Sequence, residues 1–389
     1  MHMDSIMPYL VAVILGILII GMTMRMLKLP SIVGYIVSGI ILGPHLLGIL
    51  SDVELIGRLG GFGVVLLLFF IGMEMCIPCL IARWYIVVVG TIMQIFASIG
   101  CVWLVGLFFD WPFARIILLG FVMSLSSTAV VIKLLEDCNE KQTHVGQNVI
   151  GILLTQDIAI IGMLIVLQFL KGGPLQISQL ALQAAGATMT MALLIYIFKK
   201  ETIEIPSIKI FLENNETQVF FALILCFGFA FILGLCNLST AIGAFVGGIV
   251  VTALKETRWV HLSLEPFRVV FIALFFVSIG MQLDLGFLKS NWKEIGLLVI
   301  SVLTVNTIIN TFILRALGEN WRDSIYAGAL LAQIGEFSFV IAAMGAQMGI
   351  IHSYGYQLAL STIALTLLLT VLWTTPARRW YLSHKIITQ

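Results

Sequence analysis

Two interruptions of apolar runs decide the fold: Ser124-Leu125-Ser126-Ser127-Thr128-Ala129-Val130 and, 208 residues later, Ala332-Gln333-Ile334-Gly335-Glu336-Phe337-Ser338. Ser and Thr can bond local backbone groups in place of helical ones, and Gly335 permits departure from helix geometry. Either cluster alone fits small residues packed between helices. Their common offset favours a matched pair of broken helices. Other segments repeat at the same spacing. Gly34-Tyr-Ile-Val-Ser-Gly39 resembles Gly243-Ala-Phe-Val-Gly-Gly248 at an offset of 209 residues. Phe69-Phe-Ile-Gly72-Met-Glu resembles Val277-Ser-Ile-Gly280-Met-Gln, and Gly120 matches Gly328, both at 208.

The runs that carry these matches are long. The chain has 389 residues, 60% hydrophobic and 11% charged, with 35 Gly and 16 Met. Its mean hydropathy is +1.10. A soluble domain has about 25% charged residues, so soluble and disordered classes are excluded. A net charge of +1 without a basic stripe excludes a nucleic-acid binder. Scanning for about 20 apolar residues predicts an all-α polytopic membrane protein with about 13 transmembrane helices. Continuous rather than alternating runs exclude a β-barrel. The third span covers 59–78, the fifth 113–135, the sixth 146–170, the eleventh 293–316 and the twelfth 322–348. The first, beginning at Pro8, lacks a basic leader and a cleavage pattern and is read as a retained helix.

Loop charge tests the count. With an external N-terminus and a cytoplasmic C-terminus, 16 Lys and Arg fall on the cytoplasmic side and 5 on the other, as the positive-inside rule requires. Residues 1–389 then form a single membrane transport domain, with repeats at approximately 31–170 and 239–375 and a polar cytoplasmic linker at 199–217. Matched spans lie seven helices apart, an odd number, so the copies are inverted. Inverted repeats with discontinuous helices at their interface are the architecture of secondary transporters.

Buried ionisable groups then become site candidates. Asp157 lies near the centre of the sixth span, in Leu153-Leu-Thr155-Gln156-Asp157-Ile-Ala, with no basic residue nearby on that helix. Burial favours the neutral form, which suits a carboxylate that holds a proton or a cation in turn. Thr155, Gln156, Ser126, Ser127 and Thr128 can add neutral oxygens, the donors that hard cations take. The plain alternative for Asp157 is a hydrogen-bonded structural residue. Glu336, with Gln333 and Gly335, is expected to shape the field at the crossing. Glu74 is a gating or interfacial candidate. Glu265 before Pro266 reads as a helix start. Arg315 is expected to snorkel or to pair with a carboxylate. Cys76-Ile-Pro-Cys79 has redox or metal spacing, but with no second ligand pair it reads as small residues at a helix end. No cofactor and no resident metal are expected.

These segments also carry a resemblance. Val64-Val-Leu-Leu-Leu-Phe-Phe-Ile-Gly-Met-Glu74, Leu125-Ser-Ser-Thr-Ala, Thr155-Gln-Asp-Ile-Ala, Ala241-Ile-Gly-Ala-Phe-Val-Gly-Gly, Glu265-Pro-Phe, Leu274-Phe-Phe-Val-Ser-Ile-Gly-Met and Gln333-Ile-Gly-Glu336-Phe-Ser-Phe-Val occur in this order across nearly the whole chain. The set resembles the cation:proton antiporter-2 family, in particular Kef-type potassium/proton antiporters. The resemblance implies a sodium/proton antiporter-like fold and a homodimer in a bacterial inner membrane, with elevator-like movement of a core domain. It also implies a cytoplasmic nucleotide-binding regulatory domain, separate or truncated; no Gly-rich fingerprint occurs within the sequence. Gln156-Asp157 looks like the Gln-Asp pair of the Kef branch, whereas sodium/proton relatives often carry Asp-Asp. Many relatives have a membrane-embedded Lys at the position of Asn306, and a neutral Asn implies an electroneutral exchange.

The expected activity is secondary antiport of a monovalent cation, most readily potassium, against protons. Sodium/proton antiport is separated from it only by measured selectivity. A channel-like potassium path is disfavoured by the absence of a Thr-Val-Gly-Tyr-Gly filter. An intramembrane enzyme would need a facing acid pair, for which Asp157 and Glu336 are the one candidate. A non-transporting sensor would keep the fold without exchange.

Overall fold

The structure is a computed structural model, and it describes residues 7–26, 31–49, 53–74, 85–170, 177–200, 215–236, 238, 240–254 and 260–383. Cys76, Cys79 and most of the polar linker lie outside these residues, as do the side chains of Glu74 and Glu265. The described chain is helical. In order, the helices are α1 (Met7–Met26), α2 (Ser31–Leu42), α3 (Val53–Glu74), α4 (Gly90–Phe108, preceded by one π turn), α5 (Phe113–Ser124), α6 (Thr128–Asp137), α7 (His144–Leu170), α8 (Ile177–Lys200), α9 (Asn215–Leu235), α10 (Thr240–Ala253), α11 (Val260–Gln282), α12 (Leu285–Ser290), α13 (Trp292–Ala316), α14 (Trp321–Leu330), α15 (Phe337–Gln347) and α16 (Ser353–Ser383).

Five described helical stretches, Tyr85–Phe108, His144–Leu170, Glu216–Leu235, Trp292–Ala316 and Ser353–Ser383, are long and apolar enough to cross a membrane. Several shorter apolar helices accompany them. Apolar side chains also point outward: Phe96 on α4 is 69% exposed and Phe231 on α9 is 66% exposed. Lipid is the environment in which such faces are stable.

The fifth and twelfth predicted spans are each broken. In the fifth, α5 stops at Ser124 because Leu125 turns to an extended conformation. Ser127, also extended, then starts α6 by accepting a hydrogen bond from the Val130 N–H, the ordinary chemistry of an N-cap. In the twelfth, α14 is capped by Asn320, which accepts from the Asp323 N–H; the chain leaves the helix after Leu330 and resumes at Phe337.

The helices pack in two groups. One holds α1, α2, α3, α9, α10 and α11; the other holds α4, α5, α6, α7, α13, α14, α15 and α16. Within each group the contacts obey the repeat. A Cβ on Gly39 would lie 2.8 Å from the Cα of Gly280, and one on Gly248 would lie 3.0 Å from the Cα of Gly72. Gly248 and Gly72 are the repeat mates of Gly39 and Gly280, so α2 crosses α11 as α10 crosses α3. In the second group, Gly120 of α5 packs on Ile99 of α4, while Gly328 of α14 packs on Thr307 and Thr311 of α13. Ile99 and Thr307 are again 208 residues apart. Reciprocal contacts of this kind are what a two-fold relation between two copies produces.

At these crossings the nearest atoms are largely backbone and cannot rotate away. Gly280→Val and its mate Gly72→Val are therefore both expected to prevent recovery of a monodisperse protein on size-exclusion chromatography. Gly61→Val, at a position where an added Cβ meets no atom of another described element within 4 Å, is expected to elute as the parent does. Folded protein from Gly280→Val would contradict the close crossing.

Candidate cation and proton site

The two breaks meet. The Gly335 N–H donates to the Leu125 carbonyl at 2.7 Å, the Ser126 hydroxyl to the Leu331 carbonyl at 2.8 Å, and the Ser338 hydroxyl to the Val122 carbonyl at 2.7 Å. Thr366 on α16 steadies the second break by accepting from the Ile334 N–H at 3.3 Å. Four helix ends therefore converge: the C-termini of α5 and α14, with exposed carbonyls, and the N-termini of α6 and α15, with exposed N–H groups. Their partial charges are of opposite sign, and within a membrane each group needs a partner.

Asp157 sits beside this crossing, on α7, and is 3% exposed. Its carboxylate accepts from the Thr128 hydroxyl, with oxygens at 3.0 and 3.2 Å. Thr128 is the first residue of α6, so the carboxylate faces the positive end of that half-helix. This setting offers a negative charge, an adjacent hydroxyl oxygen and local dipolar support. Such a group can hold a proton, or release it and hold a small cation between oxygens.

Gln156 is buried next to it. Its Oε1 accepts from the Ser126 N–H at 3.0 Å, and its Nε2 donates to the Oε1 of Gln94 at 2.6 Å. Gln94, on α4, in turn donates to the Ser124 carbonyl at 3.1 Å. Gln94 is missed by the sequence reading. The available signal is a solitary buried amide in an apolar span.

Asn306 on α13 donates to both broken segments, to the Met123 carbonyl and to the Ala332 carbonyl, each at 3.0 Å. It joins the breaks through neutral hydrogen bonds. Thr155 is turned away, donating to the Gly151 carbonyl of its own helix at 3.0 Å. Ser127 is used as the cap of α6. Gln333 is fully buried at the second break, and its amide has no hydrogen-bond partner among the described residues. Glu336 is buried at the N-cap position of α15 without a side-chain capping bond. Arg315 lies apart from the crossing; it donates to the Glu319 carbonyl at 3.1 Å, and its guanidinium stands 5.6 Å from the centre of the Trp321 ring. The structure thus brings together Asp157, Gln156, Ser126, Thr128 and Gly335, and leaves Thr155 and Arg315 facing elsewhere.

Paired broken helices from an inverted repeat, with a buried carboxylate against one break, define a multi-pass secondary transporter. A family model described as sodium/hydrogen exchanger, transmembrane, matches residues 10–380. The chain belongs to this family of cation/proton antiporters, and its relatives place it with the Kef type. It is 33% identical over 375 residues to the iron transporter MagA of Paramagnetospirillum magneticum, covering 96% of this chain and 86% of that protein. It is 32% identical to K(+) efflux antiporter 5 of Arabidopsis thaliana, covering 93% of this chain and 65% of that one. It is 30% identical to the glutathione-regulated potassium-efflux system protein KefC of Salmonella schwarzengrund, covering 91% and 57%. The chain therefore spans less than two thirds of the length of the last two. The solved structure of the sodium proton antiporter MjNhaP1 from Methanocaldococcus jannaschii has the same fold, with a TM-score of 0.71 at 15% identity over 97% of this chain and 99% of that one.

Proposed function

We propose that this antiporter exchanges potassium for protons, one for one, at Asp157. The observation that carries the proposal is the Asp157 carboxylate, buried at the crossing and bonded to Thr128 at the start of α6. Protonated Asp157 is neutral. On losing its proton it takes a cation, with the Thr128 hydroxyl supplying a second oxygen. Gln156, Ser126 and Gln94 hold the break in place, and Glu336, Gln333 and Gly335 set the second half of the crossing. The group of helices carrying the site moves against the other group in an elevator-like step, within a homodimer. The membrane is a bacterial inner membrane with the N-terminus external and the C-terminus cytoplasmic. A nucleotide-binding regulatory domain would act from the cytoplasmic side, and Glu74 would lie at a gate.

Potassium is supported by the names of two relatives and by the Gln156-Asp157 pair. Sodium is the second reading, favoured by the family's description. An iron cargo is suggested by the relative of that name, but the carboxylate and hydroxyl at the site are the donors of a hard cation.

One carboxylate and a neutral Asn306 make the cycle electroneutral. In sealed proteoliposomes, a potassium gradient is expected to move protons at a rate that ionophore-clamped voltage does not alter. A steady current with a voltage-dependent rate would refute the stoichiometry. Proton movement with sodium or ferrous ion and none with potassium would replace the cargo. Potassium flux without proton movement would make the chain a channel, and no flux at all a sensor.

A further inference from the structure

We propose that Gln94 is a positioning residue of the exchange site, acting through Gln156; the inference rests on Asp157 being that site. The three hydrogen bonds that join Ser124, Gln94, Gln156 and Ser126 form a chain with only one possible direction. It begins on a backbone carbonyl, which can only accept, and ends on a backbone N–H, which can only donate. Both side-chain amides between them are therefore fixed in orientation. The two backbone ends flank Leu125, so the chain is a clamp across the break between α5 and α6. Every member is buried, Gln94 at 1% exposure and Gln156 at 0%. Asp157 is the next residue after Gln156, and Thr128 lies two residues beyond Ser126. The clamp thus fixes the distance between the carboxylate and the hydroxyl that face the exchanged ion.

The repeat gives independent support. The Ser124 carbonyl, capped by Gln94 from α4, has Ala332 as its mate, and the Ala332 carbonyl is capped by Asn306 from α13. Both half-helix C-termini thus have the same carbonyl covered by an amide from the neighbouring helix. Beyond the cap the two copies differ. The Asn306 Oδ1 has no partner among the described residues, whereas the Gln94 Oε1 passes the chain on to Gln156. Only the copy beside the buried carboxylate is extended toward it. A purely structural cap would need no such extension.

The test is a double-mutant cycle on the full chain in proteoliposomes, with potassium and sodium as probes. Gln94→Ala and Gln156→Ala are each expected to raise the half-saturating cation concentration on the order of tenfold, as loss of an outer-shell partner does. Each should change the potassium-to-sodium preference in the same direction and leave the maximal rate less affected. The double variant should be no weaker than the weaker single one. Gln94→Met, which keeps the volume without the bonds, replaces Gln94→Ala if that variant does not fold. Cation-induced thermal stabilisation gives the same comparison for variants too slow to assay. Multiplying effects, or a loss of rate with unchanged half-saturation and preference, would overturn the inference. Asp157→Asn separates the two failures. Exchange in that variant would remove the site itself, whereas an inert Asp157→Asn beside multiplying Gln94 and Gln156 effects would remove only the role of Gln94.

Discussion

Asp157→Asn is expected to reduce cation-driven proton movement to the level of empty vesicles while leaving a folded protein. The substitution is nearly isosteric. The amide oxygen still accepts from the Thr128 hydroxyl, which reaches the present carboxylate at 3.0 Å, so the break keeps its contact. What is lost is the ability to alternate between a bound proton and a negative charge. Removing a buried charge does not in itself weaken the fold, so the thermal midpoint in detergent should hold or rise. Thr128→Val tests the second oxygen. It keeps the shape and removes the hydroxyl, and should weaken apparent cation affinity about tenfold with exchange retained. Because proton and cation compete for one carboxylate, half-saturating cation in the parent should rise as pH falls. Undiminished exchange in Asp157→Asn, measured by internal pH on potassium addition, would displace the site.

The two breaks were legible in the sequence because each is a cluster of polar or small residues in an apolar run, and because the runs share an offset. The glycine crossings were legible as matched positions, although only the structure shows that Gly39 meets Gly280 while Gly248 meets Gly72. Site chemistry was less so. Thr155 was a reasonable ligand by proximity to Asp157 in the chain, but residues two apart on a helix point to different sides, and its hydroxyl bonds to its own helix. Asn306 read as a missing charge. Its donors proved to be the point, since they join carbonyls of both breaks. Gln94 left little trace because its repeat mate is Val302, so comparison of the copies passes over it. Its partners lie 30 and 62 residues away, beyond any local pattern.

Gly335→Ala should be the most damaging single-methyl change at the crossing of the two breaks. A Cβ at this position would lie 2.5 Å from the Ser126 carbonyl oxygen, 2.6 Å from its carbon and 2.9 Å from the Ser127 nitrogen. All three are backbone atoms, so no rotamer change relieves the clash. Relief requires the two breaks to move apart, which also stretches the 2.7 Å bond from the Gly335 N–H to the Leu125 carbonyl. Overpacking and a weakened buried bond together should destabilise the protein by on the order of 3 kcal/mol. Ser126 is held by Gln156 and by Leu331, so its displacement is carried toward Thr128 and Asp157. Exchange should therefore fall to background even in the fraction that remains folded. Three controls grade the effect. Gly345→Ala would meet first the side chain of Leu118, which can adjust, and should cost less. Gly100→Ala and Gly296→Ala, inside α4 and α13 with no atom of another described element within 4 Å of the added carbon, should be neutral or stabilising by up to about 1 kcal/mol through helix propensity. Thermal denaturation and proteoliposome exchange on the four variants check the order. Parent-like exchange in Gly335→Ala would mean that the two breaks are not held in contact during transport.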